Sequence, residues 1–240
     1  MKRRAMLTGG AAVGVGALTG GPVAAAAAAA PPRDTNRPLR VRIVMFDGVE
    51  EQDFIAPKEV FSLAGWYSER EIDVNYMVHG RPRLVTAAFG TEVRVKHGWQ
   101  PETADVIIVP GGGRPGEPGI WAEIENGALP SALAAAPRPR LIMSSLCTGA
   151  VLLAVAGLVD GRPCTTHTVA KQQLTSRGGI VKNARVVDDG DLVTAAGITS
   201  GLDLGLHLVK RLLGADVAIR VEEALEYQAR GTVWTDPVRT

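Results

Sequence analysis

Leu141-Ile142-Met143-Ser144-Ser145-Leu146-Cys147-Thr148-Gly149-Ala150-Val151-Leu152-Leu153-Ala154 is the stretch that decides the fold. Its apolar opening reads as a buried strand, and its Ala/Leu/Val-rich end reads as a helix. Cys147 falls at the join, with Gly149 two places on. A side chain on so sharp a strand-to-helix turn is presented at the top of a sheet, the geometry of a nucleophile elbow. The helix N-terminus behind it offers free N–H groups and partial positive charge, both favouring thiolate over thiol. The plainer reading of Cys147 is a small buried hydrophobe.

Working outward, strands alternate with helices on both sides of this turn. Arg40–Phe46, Ile72–Val78 and Asp105–Val109 read as strands, the last as a continuous apolar run and therefore central. Short strands are expected within 84–95, 180–187 and 192–195. Helices are expected after Asp53, over 120–136 with a break near Gly127 and Pro130, and over 197–213 and 216–227. In the first helix Phe54, Val60, Phe61 and Ala64 share a face, and Pro57 is expected in its first turn. This pattern implies one α/β domain with a mostly parallel sheet covered on both faces. Ligands in such folds bind beyond the carboxyl ends of the strands. The turn after Phe46, the Pro110-Gly111-Gly112-Gly113 loop and Cys147 all fall at such ends.

The loops and acidic stretches each need their own reading. The glycine loop lacks a nucleotide-binding pattern, so it is either an oxyanion-stabilising backbone pair or a plain turn. The acidic cluster Glu50-Glu51-Gln52-Asp53 is a site, a helix cap or a solvated face. Asp188-Asp189-Gly190-Asp191 lacks the ligand spacing of a calcium loop and reads as a turn. Cys147 and Cys164 are the two cysteines, too few for a disulfide scaffold and without zinc-ligand spacing.

Residues 1–30 have a basic start, a Gly/Ala-rich apolar middle and an alanine tract, the three parts of an export signal. Lys2-Arg3-Arg4-Ala5-Met6-Leu7-Thr8 is similar to a twin-arginine motif. Glycines dilute the apolar segment, so it makes a poor membrane span. Residues 31–38 read as a linker, 39–230 as the domain and 231–240 as a tail. Residues 1–30 carry Lys2, Arg3 and Arg4 and no acid, so the remainder holds −2 against +1 for the whole chain. That balance gives no electrostatic case for nucleic acid.

Phe46-Asp47-Gly48-Val49-Glu50-Glu51-Gln52-Asp53, Val109-Pro110-Gly111-Gly112, Ser145-Leu146-Cys147-Thr148-Gly149-Ala150, Thr165-Thr166-His167 and Thr194-Ala195-Ala196-Gly197-Ile198-Thr199-Ser200-Gly201 together resemble the ThiJ/PfpI superfamily. Within it they are most similar to the isonitrile hydratase-like branch. The resemblance implies a flavodoxin-like, glutamine-amidotransferase-like three-layer sandwich, a homodimer, a small-molecule substrate and no cofactor or metal. It makes Cys147 the nucleophile and Asp53 the acid that approaches it from the first helix. Gly112 and Gly113 become the loop lining the pocket, and Thr148 the residue after the nucleophile. Protease-like branches have His at that position, so a Cys–His dyad of that kind is missing. His167 matches a histidine near the site, catalytic or merely packed. Ala196 stands where the family often has the second glycine of a pair.

The implied reaction is hydration of an isonitrile to an N-substituted formamide, with Asp53 raised in pKa by burial and by the thiolate. A glyoxalase-like reaction on 2-oxoaldehydes is the rival enzyme reading, with His167 as base. An oxidation-sensing or ligand-binding protein is the non-enzymatic one. Superfamily regulators add a DNA-binding domain, for which no segment is read here. Cys164 reads as a buried hydrophobe, with pairing to Cys147 as the alternative.

Overall fold

The structure is a computed structural model and describes residues 37–235. The export signal read at 1–30 and most of the linker lie outside the described residues.

Strands β1 (Leu39–Met45), β2 (Ile72–Val78), β5 (Val106–Val109), β6 (Ile142–Ser145) and β10 (Leu192–Ala195) form the parallel part of a seven-stranded sheet. The hairpin of β3 (Arg83–Thr86) and β4 (Glu92–Val95) stands outside it, and β7 (Pro163–Cys164) pairs with β8 (Ile180–Val181) in a second small ribbon. β9 (Val186–Asp189) runs antiparallel to β10, and β11 (Val233–Thr235) closes the edge parallel to β9. The order is β11-β9-β10-β6-β5-β1-β2. Val233–Thr235, within the stretch read as a tail, is therefore an edge strand. The Trp234 ring beneath the Lys182 ammonium helps seat it.

Helices cover both faces. On one side α1 (Glu51–Tyr67), α6 (Ser200–Leu213) and α7 (Ala215–Leu225) pack together. On the other lie α2 (Ile120–Asn126), α3 (Ala128–Ala134), α4 (Gly149–Val155) and α5 (Lys171–Ser176). This is a flavodoxin-like three-layer fold. Val41, Ile43, Val44 and all of Val106–Val109 are fully buried, as strands covered on both faces require. The break expected near Gly127 and Pro130 falls at Gly127, whose φ of 76° ends α2, while Pro130 sits in the first turn of α3.

Two local expectations change. Pro57 lies in the second turn of α1, because the helix starts at Glu51. Proline has no N–H to give the carbonyl four residues back, which is that of Asp53. The acidic stretch 188–191 is more than a turn. Asp188 and Asp189 belong to β9 and are buried. Asp188 accepts Arg211 Nη1 at 2.9 Å and meets His207 Nε2 at 2.7 Å, tying α6 to the sheet. Asp189 pairs with Arg162 Nε at 2.7 Å. Burying carboxylates at this depth requires such partners.

The strand order reverses direction between β1 and β5, since β2 follows β1 on one side and β5 on the other. A crevice forms at the carboxyl ends of strands around such a switch point. The turn after β1, the glycine loop after β5 and the turn after β6 all open there.

Candidate active site

Cys147 has a φ of +54°, in the left-handed region that a side chain rarely occupies. Such a conformation costs about 1–3 kcal/mol and persists only where neighbours enforce it. Here the Cys147 N–H donates to the Ala196 carbonyl at 2.7 Å. The Cys147 carbonyl accepts Thr166 Oγ1 at 2.6 Å and the His167 N–H at 3.2 Å. Two segments distant in sequence, 166–167 and 196, thus hold one strained residue. Ala196 serves through its backbone carbonyl, so its methyl group leaves this contact intact.

Asp53 stands in the first turn of α1 and is fully buried. Its Oδ2 accepts the Gly111 N–H at 2.8 Å. Its Oδ1 is buried without a hydrogen-bond partner of good geometry, and the carboxyl interacts with the Cys147 thiol. The Gly112 N–H donates to Thr148 Oγ1 at 3.1 Å. Of the Gly112–Gly113 pair read as oxyanion-stabilising, the Gly112 N–H is therefore spent on fixing Thr148, while the Gly111 N–H before it fixes Asp53. Their glycines are required for that approach. A Cβ on Gly111 would lie 2.5 Å from Thr148 N and Oγ1, and one on Gly112, where φ is 138°, would lie 2.3 Å from the Gly48 carbonyl oxygen.

The electrostatics differ from the expectation of a thiol made acidic by a helix end. Burial, with the Asp53 charge next, pushes the Cys147 thiol up to about 12. The N–H groups of Ile198 and Thr148 donate to the sulfur and favour the thiolate, but do not outweigh these two effects. α4 has only seven residues, and the first-turn dipole effect is modest. Burial also pushes Asp53 up to about 7, opposed by the Gly111 hydrogen bond and aided by Glu50. The hydrogen bond to Cys147 acts in the lowering direction, so burial and not the sulfur is what raises the acid. Between about 7 and 12 the pair holds one proton between them, and the titration belongs to the pair.

A cleft of about 590 Å³ opens above the sulfur. Gly112, Gly113, Cys147, Thr148 and His167 line it, so five of the six residues singled out in the sequence share one cleft, while Asp53 is fully buried and outside its lining. His167 Nδ1 accepts the Val169 N–H at 3.2 Å, capping the turn that follows. Its ring also packs on Gly197, where a Cβ would lie 2.3 Å from Cδ2. Both cysteines are free thiols, and Cys164 is fully buried in the core. Among the described residues no group of three or more His, Cys, Asp or Glu is placed to hold a metal ion.

The sequence profile of the DJ-1/PfpI family matches residues 39–211. The chain belongs to the DJ-1/PfpI family. Among its relatives, isonitrile hydratase of Pseudomonas putida is 30% identical over 190 residues, covering 79% of this chain and 78% of that protein. The HTH-type transcriptional regulator GbdR of Pseudomonas aeruginosa is 27% identical over 203 residues, 82% of this chain and 53% of the regulator. A solved ThiJ/PfpI family protein from Pseudomonas syringae superposes with a TM-score of 0.71 at 24% identity, covering 82% of this chain and 78% of that one. That likeness concerns the fold alone.

This DJ-1/PfpI cleft also contains residues that carried no role in the sequence. Ile198 gives its N–H to the sulfur from a strained φ of +25°. Ala88, Phe89, Arg114, Glu117 and Val169 complete the lining, together with Glu50 of the acidic cluster already weighed as a site. Ile198 lies inside the Thr194–Gly201 motif, which was the one available signal for it. Ala88 and Phe89 come from the β3–β4 hairpin, which no local pattern connects to Cys147.

Proposed function

We propose that the protein adds water to an isonitrile, giving an N-substituted formamide, with Cys147 as nucleophile and Asp53 as proton carrier. The observation that carries the proposal is the buried Asp53 carboxyl, anchored on Gly111 and coupled to a thiol at a strained elbow. Thr148 after the nucleophile and the 30% identity to an isonitrile hydratase support the same choice within the family.

In the singly protonated pair, the Asp53 carboxylate takes the thiol proton as sulfur attacks the terminal isonitrile carbon. Asp53 then delivers that proton to the same carbon, leaving a thioimidate, R–N=CH–S–Cys147. A water molecule attacks this carbon, losing one proton to Asp53, which passes it to nitrogen. The tetrahedral adduct R–NH–CH(OH)–S–Cys147 collapses as its hydroxyl proton returns through Asp53 to the leaving sulfur. One water is consumed, and R–NH–CHO departs. The Ile198 and Thr148 N–H groups stabilise the sulfur whenever it carries charge. Thr148 Oγ1 accepts from Gly112 and keeps its own proton to donate toward the cleft.

The glyoxalase-like route requires a base for a carbon-bound proton. His167 Nδ1 is engaged by Val169, which counts against His167 in that role. The test is formamide formation from an alkyl isonitrile by wild type, Cys147→Ala and Asp53→Asn, with lactate formation from methylglyoxal run in parallel. We further propose that the protein is exported through residues 1–30 and acts as a homodimer. N-terminal sequencing of the secreted form and sedimentation of the purified protein check these two points.

A further inference from the structure

The hairpin tip between β3 and β4 is fastened to the site by a residue the proposed mechanism does not use. Glu51 opens α1, two residues before Asp53, and its carboxylate reaches away from the helix to the hairpin tip. Oε1 accepts the Phe89 N–H at 2.8 Å and lies 3.4 Å from the Thr91 N–H. Oε2 is buried without a hydrogen-bond partner. The Ala88 N–H donates to the Val49 carbonyl at 2.9 Å, and the Gly48 N–H to the Thr86 carbonyl at 2.8 Å. Asp47 Oδ1 accepts the Thr86 N–H at 3.0 Å and pairs with Arg83. The hairpin is thus stitched to the same turn that delivers Asp53 to the thiol.

This fastening serves an apolar side chain that the fold does not bury. Phe89 is 80% exposed and Val169, another lining residue of the cleft, is 75% exposed. Ala88 and Ile198 continue the apolar lining, while Thr148, His167 and the glycine loop supply polar groups around the sulfur. A lone exposed hydrophobe needs no explanation, but two on one cleft make a surface suited to apolar contact.

We propose that Phe89, held over the cleft by Glu51, is the residue that grips the substituent on the substrate nitrogen, so that isonitriles with bulky apolar substituents are preferred. The inference rests on the hydration reading for its substrate. The terminal carbon must reach the Cys147 sulfur, so the substituent trails outward along the Ala88–Phe89 wall. Phe89 touches substrate; Glu51 is a positioning residue that acts through the tip.

The test compares wild type with Phe89→Ala, Glu51→Ala and Glu51→Gln. One readout is the ratio of kcat/KM for phenyl isonitrile over methyl isonitrile. A second is independent of turnover: the ratio of Cys147 alkylation rates with N-phenylchloroacetamide and chloroacetamide, followed by mass spectrometry. A third is amide hydrogen exchange at residues 88–91. Phe89→Ala should lower both ratios about tenfold, the scale on which an apolar pocket discriminates. Glu51→Ala should lower them comparably and speed exchange at 88–91. Glu51→Gln, which keeps a carbonyl acceptor, should restore most of both. Unchanged ratios in Phe89→Ala overturn the proposal, as do wild-type ratios in Glu51→Ala with faster exchange at the tip. If wild type turns over no isonitrile but its alkylation preference is present and lost in Phe89→Ala, the reaction assignment fails and the wall stands. If isonitriles turn over with no preference, the wall fails and the reaction stands.

Discussion

Asp53 Oδ2 accepts the Gly111 N–H at 2.8 Å, which orients the carboxyl and leaves its other oxygen to the interaction with the Cys147 thiol. One backbone donor thereby determines which face of the acid is held and which is available for proton transfer. Asp53→Asn preserves an acceptor for Gly111 and removes the proton carrier. Loss of such a group typically lowers turnover 10²- to 10⁴-fold, roughly, with the fold intact. Because the Asp53 charge is one of the effects raising the thiol, Asp53→Asn should also titrate Cys147 below its wild-type value of about 12. Alkylation rates against pH measure this shift.

The pH dependence of activity follows from the same pair. Below about 7 both groups are protonated and Asp53 has no room to accept the thiol proton. The kcat/KM profile should therefore rise as pH passes through about 7. The limb should vanish in Asp53→Asn.

Stability should respond in the opposite sense. The folded Asp53 value lies above its ordinary 3.8, so the native state keeps a proton that the unfolded chain has released between 3.8 and about 7. The stability this group contributes is full below that window and is lost as pH rises across it, by on the order of 4 kcal/mol. Urea unfolding at pH 4.5 and pH 8 should show wild type losing more stability than Asp53→Asn over this interval.

Thr148→Val keeps the side-chain shape but leaves the buried Gly112 N–H without its acceptor. An unpaired buried donor costs about 1–3 kcal/mol, and Thr148→Ser should recover most of it. Thermal unfolding of the two variants compares them directly.

Cys164 is fully buried, and burial raises its thiol to about 11. Cys164→Ala should retain hydration activity and lose about 1–3 kcal/mol of stability, as expected for removing buried apolar volume. Alkylation of the folded wild type should label Cys147 alone, read by peptide mapping.

Much of this was legible in the sequence where local pattern carries the information. The strand and helix around Cys147, the central run Val106–Val109 and the Gly111–Gly113 loop follow from hydrophobic periodicity and turn chemistry. What was not legible depends on contacts between segments far apart in the chain. The glycine loop read as an oxyanion site at Gly112 and Gly113, but that the Gly111 and Gly112 N–H groups face Asp53 and Thr148 depends on how α1 and α4 pack. The thiol was expected to be acidic from its helix end alone, whereas burial and the neighbouring carboxylate, both tertiary effects, push it up. Glu51 read as part of an acidic cluster because its partners, Phe89 and Thr91, lie 38 and 40 residues away. β11 was missed because a three-residue edge strand has too little periodicity to register.

The central claim is that Cys147 and Asp53 hydrate an isonitrile. Formamide production from cyclohexyl isonitrile, with wild type, Cys147→Ala and Asp53→Asn assayed side by side, tests it most directly. The account predicts turnover by wild type, none by Cys147→Ala and a residual rate in Asp53→Asn. Equal turnover by wild type and Cys147→Ala, or no formamide from any of the three, would contradict it.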